Sequence, residues 1–152
     1  MTAQVREILI IKGEKHGLSC VPAILENAEY LEKLEPDKGK KYYSGIFGST
    51  ACWRRYRATW EIKEDKFYFV DIEGAYRKKN MEPIFAEWFS GIIKYPQGKL
   101  LKRVHLGFFS VYEEEVLIRI ESGVVLSIEI IDNRKRYFDE WTFRFWDRWQ
   151  LQ

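Results

Sequence analysis

At 152 residues the chain is about one domain long. A domain of that size buries roughly 70% of the surface its unfolded chain exposes, so neither a disulfide nor a metal is required to hold it together. A hydrophobic content of 46% excludes a disordered chain, and 25 Lys and Arg against 23 Asp and Glu exclude a protein whose main task is sequence-independent phosphate binding.

Along the chain, Val5 to Lys12 is a short apolar run that ends at Gly13 and reads as a first strand. A loop with His16 and Gly17 follows. Pro22 suits a first helical turn, and Ile24, Leu25, Ala28, Leu31 and Leu34 recur at helical spacing until Pro36 ends the element. Asp37 to Lys41 is a charged loop, too short to act as a linker between domains. From Cys52 the period changes to two. Cys52, Tyr56, Ala58, Trp60 and Ile62 point one way, with Arg54 as the exception; Trp53, Arg55, Arg57, Thr59 and Glu61 point the other. A turn at Lys63 to Lys66 and a return over Phe67 to Ile72 complete a hairpin that pairs Ile62 with Phe67 and Trp60 with Phe69. The same register sets Tyr68 beside Glu61 and Val70 beside Thr59.

Pro83 to Phe89 fits either a short helix or the start of a strand. Pro96-Gln97-Gly98 reads as a three-residue hairpin loop that pairs Ile93 with Leu101. Register in the next hairpin follows from pattern. A two-residue Ser122-Gly123 turn sets Ile118 against Ser127, whereas a three-residue loop from Glu121 aligns Ile120, Ile118 and Val116 with Val124, Leu126 and Ile128, and so is preferred. Tyr137 to Trp149 fits both periods, with strand preferred. The expected fold is a single domain over 1–152, α+β but predominantly antiparallel β. It is a hairpin-rich sheet, or a partly open barrel or sandwich, with one or two short helices.

Chemistry is sparser. The Trp53, Arg55, Arg57 stripe, with Arg54 adjacent, offers guanidinium donors beside an aromatic ring, a pattern suited to phosphate, carboxylate or base stacking. The plainer reading is a solvated strand face whose arginines pair with acids. Arg54, on the mainly apolar face, requires an internal partner or a cleft. The preferred register also opposes Glu115 to Glu129, with Glu113 two residues along, and like charges there call for a cation nearby. That cation is a metal, a basic partner or, most simply, Lys102 or Arg103 from the neighbouring hairpin. His105 is a lone imidazole in an apolar strand context, without metal-ligand spacing. Cys20 and Cys52 are far apart and form no CxxC pair. No nucleotide-binding or hydrolase signature occurs, so no catalytic residue, cofactor or metal is assigned.

The run Ser49 to Ile62 (STACWRRYRATWEI) resembles a motif of an uncharacterised bacterial protein family. The FAEWFSG segment at Phe85, PQGKL at Pro96 and SVYEEE at Ser110 are similar to it too. The likeness covers positions 49–133 and implies a small intracellular bacterial protein, without an established activity, cofactor or catalytic residue. Some such chains resemble the immunity partners of polymorphic toxins.

The first residues carry neither the basic start nor the apolar stretch of a signal peptide, and no apolar run approaches the ~20 residues of a membrane span. A cytoplasmic location without a membrane partner is the expectation. The functional expectation is a protein-binding module, most concretely an immunity-type protein that neutralises a bacterial toxin by direct binding. Trp53, Arg54, Arg55, Arg57, His105, Glu113, Glu115 and Glu129 are its candidate contacts. The alternative is a nucleic-acid or small-ligand binding β domain that uses the Trp/Arg strand face.

Overall fold

The computed structural model describes residues 3–36, 43, 45–104, 107–108 and 110–134. Ten strands follow in chain order: β1 (Ile8–Ile11), β2 (Glu14–Gly17), β3 (Leu31–Lys33), β4 (Tyr56–Lys63), β5 (Lys66–Gly74), β6 (Tyr76–Lys78), β7 (Ile84–Phe85), β8 (Gly91–Lys102), β9 (Val111–Glu121) and β10 (Val124–Asp132). The main sheet has the order β2-β1-β4-β5-β10-β9-β8, with β7 added to β5; β3 and β6 form a separate pair. Among these described strands every pairing is antiparallel except that of β1 with β4. The two ends of the sheet approach each other, because Ser19, just after β2, donates its backbone N–H to the carbonyl of Lys94 in β8 (2.7 Å).

The central hairpin has the register expected near its turn: Ile62 faces Phe67, Glu61 faces Tyr68 and Trp60 faces Phe69. Its turn residues Glu64 and Asp65 both have positive φ, the backbone of a two-residue loop that matches strand twist. Beyond Trp60 a bulge shifts the pairing, so Thr59 faces Asp71 rather than Val70. Trp60 stacks on Phe67 (centroids 4.9 Å apart, 7° between planes) and meets Phe69 edge-on, all three buried. The core continues through Leu9, Ala58, Ile72, Ile93, Tyr95, Val116, Ile118 and Ile120.

Four expectations are corrected. The hairpin starts at Tyr56, not Cys52; the Cys52–Arg55 stretch is a turn closed by a bond from the N–H of Arg55 to the Cys52 carbonyl, with Arg55 at φ 66°. The expected helix from Pro22 to Leu34 is absent. That segment runs as turns into β3, whose backbone is claimed by β6 (Leu31 faces Lys78), so tertiary pairing overrides local spacing. The described helical content is one 3₁₀ turn, Gly45–Gly48.

Pro96-Gln97-Gly98 is not a hairpin loop but part of β8, which pairs along the length of β9 with shifts after Gln97. β8 lies at the end of the strand order, where a proline removes no ladder bond, and Gly98 supplies the left-handed residue of the bulge (φ 84°).

The β9–β10 turn has two residues, Ser122 and Gly123, both at positive φ, so Val124 faces Glu121. A bulge between Val125 and Ser127 then restores apolar pairing: Ile118 faces Ile128 and Val116 faces Ile130. Glu115 therefore faces Ile131, and Glu129 faces Leu117, so the expected Glu115–Glu129 opposition does not exist. The bulge removes the like-charge conflict that a simple register imposes. The Asp37–Lys41 loop and the Tyr137–Trp149 segment lie outside the described residues.

Candidate functional site

Arg54 is where the local sequence demands most explanation, and its partner is Glu7. The carboxylate of Glu7 is fully buried just before β1 and accepts three hydrogen bonds. These come from Arg54 Nη2 (3.0 Å), the backbone N–H of Ala58 (2.5 Å) and the indole Nε1 of Trp60 (3.2 Å). Burial raises the Glu7 pKa, while Arg54 and the other donors oppose that rise. The Arg54 guanidinium also lies over the Tyr56 ring at 5.6 Å, and its Nε is buried without an acceptor among the described residues. Parallel pairing of β1 with β4 brings these groups together.

Arg54 also forms some of the wall of a surface pocket of about 360 Å³, with Gln4, Ser19, Val21, Trp53, Lys94, Gly107 and Phe108. Trp53 projects from the turn before β4 and is 55% exposed. Gln4 fixes that turn by accepting the Trp53 backbone N–H at 2.9 Å. Behind Ser19, Arg6 donates to its hydroxyl (2.6 Å) and sets its guanidinium over the rings of Phe108 (5.6 Å) and Tyr112 (5.8 Å). Lys94 comes from β8 and is exposed.

The other anticipated contacts disperse. Arg55 donates to the carbonyls of Phe47 (3.3 Å) and Ser49 (2.9 Å), anchoring the 3₁₀ turn. Arg57 pairs with Glu73 across the hairpin, the bland outcome for a strand-face arginine. Trp53, Arg55 and Arg57 therefore form no continuous stripe, because the strand does not extend through Trp53. Glu113 packs beside Gly98, where an added Cβ would lie 2.8 Å from its Oε2. Glu115 has a raised pKa through burial, opposed by Lys94 and Arg6, and its Oε2 is buried without a hydrogen-bond partner among the described residues. Glu129 is exposed on β10. His105 lies outside the described residues. Among the described residues no cluster of three or more His, Cys, Asp or Glu could hold a metal, and both Cys20 and Cys52 are free thiols.

A second surface stands out on β10. Leu126, Ile128 and Ile130 are each more than half exposed, although Ile128 and Ile130 lie opposite residues that β9 commits to the core. β10 touches β5 only at its start, where Val124 faces Lys66. From Leu126 onward its outer edge has no strand neighbour among the described residues. The surrounding 113–134 stretch carries six carboxylates against two arginines.

Sequence reasoning missed Glu7, Lys94, Phe108 and the β10 strip. The signal for Glu7 was a lone carboxylate inside the Val5–Lys12 apolar run; that for Lys94 was its place in Ile92-Ile93-Lys94-Tyr95. The β10 strip resembled an ordinary buried face, and only the sheet order reveals that no strand covers its edge among the described residues. No family model, curated protein or solved structure matches the chain. Among the described residues no helix is long and apolar enough to cross a membrane.

Proposed function

We propose that this chain is a protein-binding module that takes an extended segment of its partner along the outer edge of β10. The single observation behind this reading is the strip Leu126, Ile128 and Ile130, exposed on a strand whose outer edge has no strand neighbour among the described residues. Strand addition uses such an edge for main-chain hydrogen bonds and alternate side chains for specificity. The acidic setting favours a partner segment that is apolar on one face and basic on the other. The most concrete partner is a bacterial toxin polypeptide, which the chain neutralises by direct binding as an immunity-type protein in the cytoplasm.

The nucleic-acid alternative has less support from the geometry, since Arg55 and Arg57 are occupied by protein acceptors. The test is co-expression with the polypeptide encoded by the neighbouring gene, first shown to arrest growth on its own. The chain should restore growth and copurify with that toxin, and the double variant Ile128→Glu, Ile130→Glu, checked for a normal thermal melt, should do neither. Full protection by the folded double variant, or no protection by the wild type, would overturn the reading.

A further inference from the structure

We infer that the pocket bounded by Trp53, Arg54, Lys94 and Phe108 binds a small planar anion, a flat ring bearing a carboxylate or phosphate. This site is separate from the β10 edge and stands independently of the protein-binding reading. Three observations carry it. First, the cavity of about 360 Å³ is at the lower end of the range for small-molecule sites, enough for a mononucleotide-sized body but not for a chain of several bases.

Second, the pocket wall carries one lysine, Lys94, and a second cation, Arg6, lies next to it. Neither Lys94, in the wall, nor Arg6, directly behind Ser19 and Phe108, has a carboxylate within ion-pair distance among the described residues. Glu7 is fully buried and engaged with Arg54, Ala58 and Trp60, and Glu115, on which Lys94 and Arg6 act electrostatically, makes no ion pair with either among the described residues. An anion entering the pocket would thus meet the Lys94 ammonium, which holds no ion pair among the described residues, beside partly desolvated walls, where such attraction is stronger than in open water.

Third, the apolar lining is aromatic at an exposed position. The Trp53 indole is more than half exposed, yet its backbone is fixed through Gln4, and Phe108 is held under the Arg6 guanidinium. An exposed, positioned indole next to a cation is a platform on which a planar ring stacks.

Two sources share this chemistry, a free nucleoside monophosphate and an aromatic carboxylate, and the experiment separates them. Purified protein is titrated with AMP, UMP, 2-naphthoate, neutral 2-naphthol and inorganic phosphate, reading heat and the Trp53 indole N–H resonance. At least one planar anion should bind with a Kd below about 1 mM, while 2-naphthol and phosphate bind at least tenfold more weakly. Lys94→Ala should weaken binding tenfold or more, and Val21→Trp, which fills the cavity from its exposed rim, should abolish it; both should melt like the wild type. A response to AMP or UMP alone assigns a nucleotide, and one to 2-naphthoate alone assigns a carboxylate. The inference falls if none of the three planar anions binds, or if both variants bind as the wild type does.

Discussion

Glu7 and Arg54 are joined by an ion pair of 3.0 Å whose acidic partner is fully removed from solvent. Arg54 is itself nearly buried, with 13% of its side chain exposed. Such a pair contributes little net stability against a well-packed apolar pair, because desolvating two charges offsets their attraction. Breaking it from one side is another matter. Glu7→Leu should cost roughly 3–5 kcal/mol, since it leaves the guanidinium, the Ala58 N–H and the Trp60 indole without their acceptor. The double replacement Glu7→Met, Arg54→Met should recover most of that loss. Urea denaturation of the three proteins measures both; a Glu7→Leu variant as stable as the wild type would refute the assignment.

Acidity gives a second handle on the same carboxylate. Burial raises the folded-state pKa of Glu7 above its ordinary 4.5, with Arg54 opposing. In the window between that ordinary value and the raised one, the folded protein keeps a proton the unfolded chain has released. Stability contributed by this group is therefore full below 4.5 and lost as pH rises through the folded value. Glu115, raised for the same reason, acts in the same direction. Denaturation midpoints taken from pH 4.5 upward should show this decline in the wild type and a shallower one in Glu7→Gln.

Tyr56 extends the argument to base. Its phenol is pushed up from 10 to about 12, first by burial and then by the Glu7 carboxylate. The sign is again that of a raised acid: stability is intact below pH 10 and lost as pH rises through about 12. Absorbance titration at alkaline pH should lose one late-ionising tyrosine in Tyr56→Phe, and the alkaline fall in stability should become shallower. An unchanged titration would show that Tyr56 ionises with the exposed tyrosines.

Ile118 and Ile128 face each other across the β9–β10 ladder, yet Ile118 is 0% exposed and Ile128 is 57% exposed. Ile118→Ala should therefore cost about 2–5 kcal/mol by loss of burial and cavity formation. Ile128→Ser should stay within about 0.5 kcal/mol in the isolated protein. Equal losses measured by thermal melting would mean that β10 is covered in solution.

The features legible in the sequence were those dictated by short-range alternation. Ile62, Trp60, Phe67 and Phe69 specified both the central register and the core it feeds. Arg54 was legible as a residue in need of a partner, but Glu7 was not, because a parallel pairing of β1 with β4 leaves no local mark in the chain. Bulges were the other blind spot. One at Val125–Ser127 moved Glu129 away from Glu115, and one near Gly98 turned an apparent hairpin loop into a continuous edge strand. The helical spacing from Ile24 to Leu34 was real, but the backbone hydrogen bonds of β6 outweighed it.

The bond from Ser19 to Lys94 has a consequence in time as well as space. The N-terminal strands leave the ribosome first, yet their partners β4 and β8 are synthesised much later. Until then Glu7 has neither Arg54 nor Trp60 to satisfy it, so the opening segment waits as an unpaired edge. Long-range closure of this kind places folding in the millisecond-to-second range typical of β-rich domains. Removal of the first twenty residues should leave the β4–β5 and β8–β9–β10 hairpins joined through β5 and β10 but strip β4 of its β1 neighbour, a product prone to self-association through exposed strand edges.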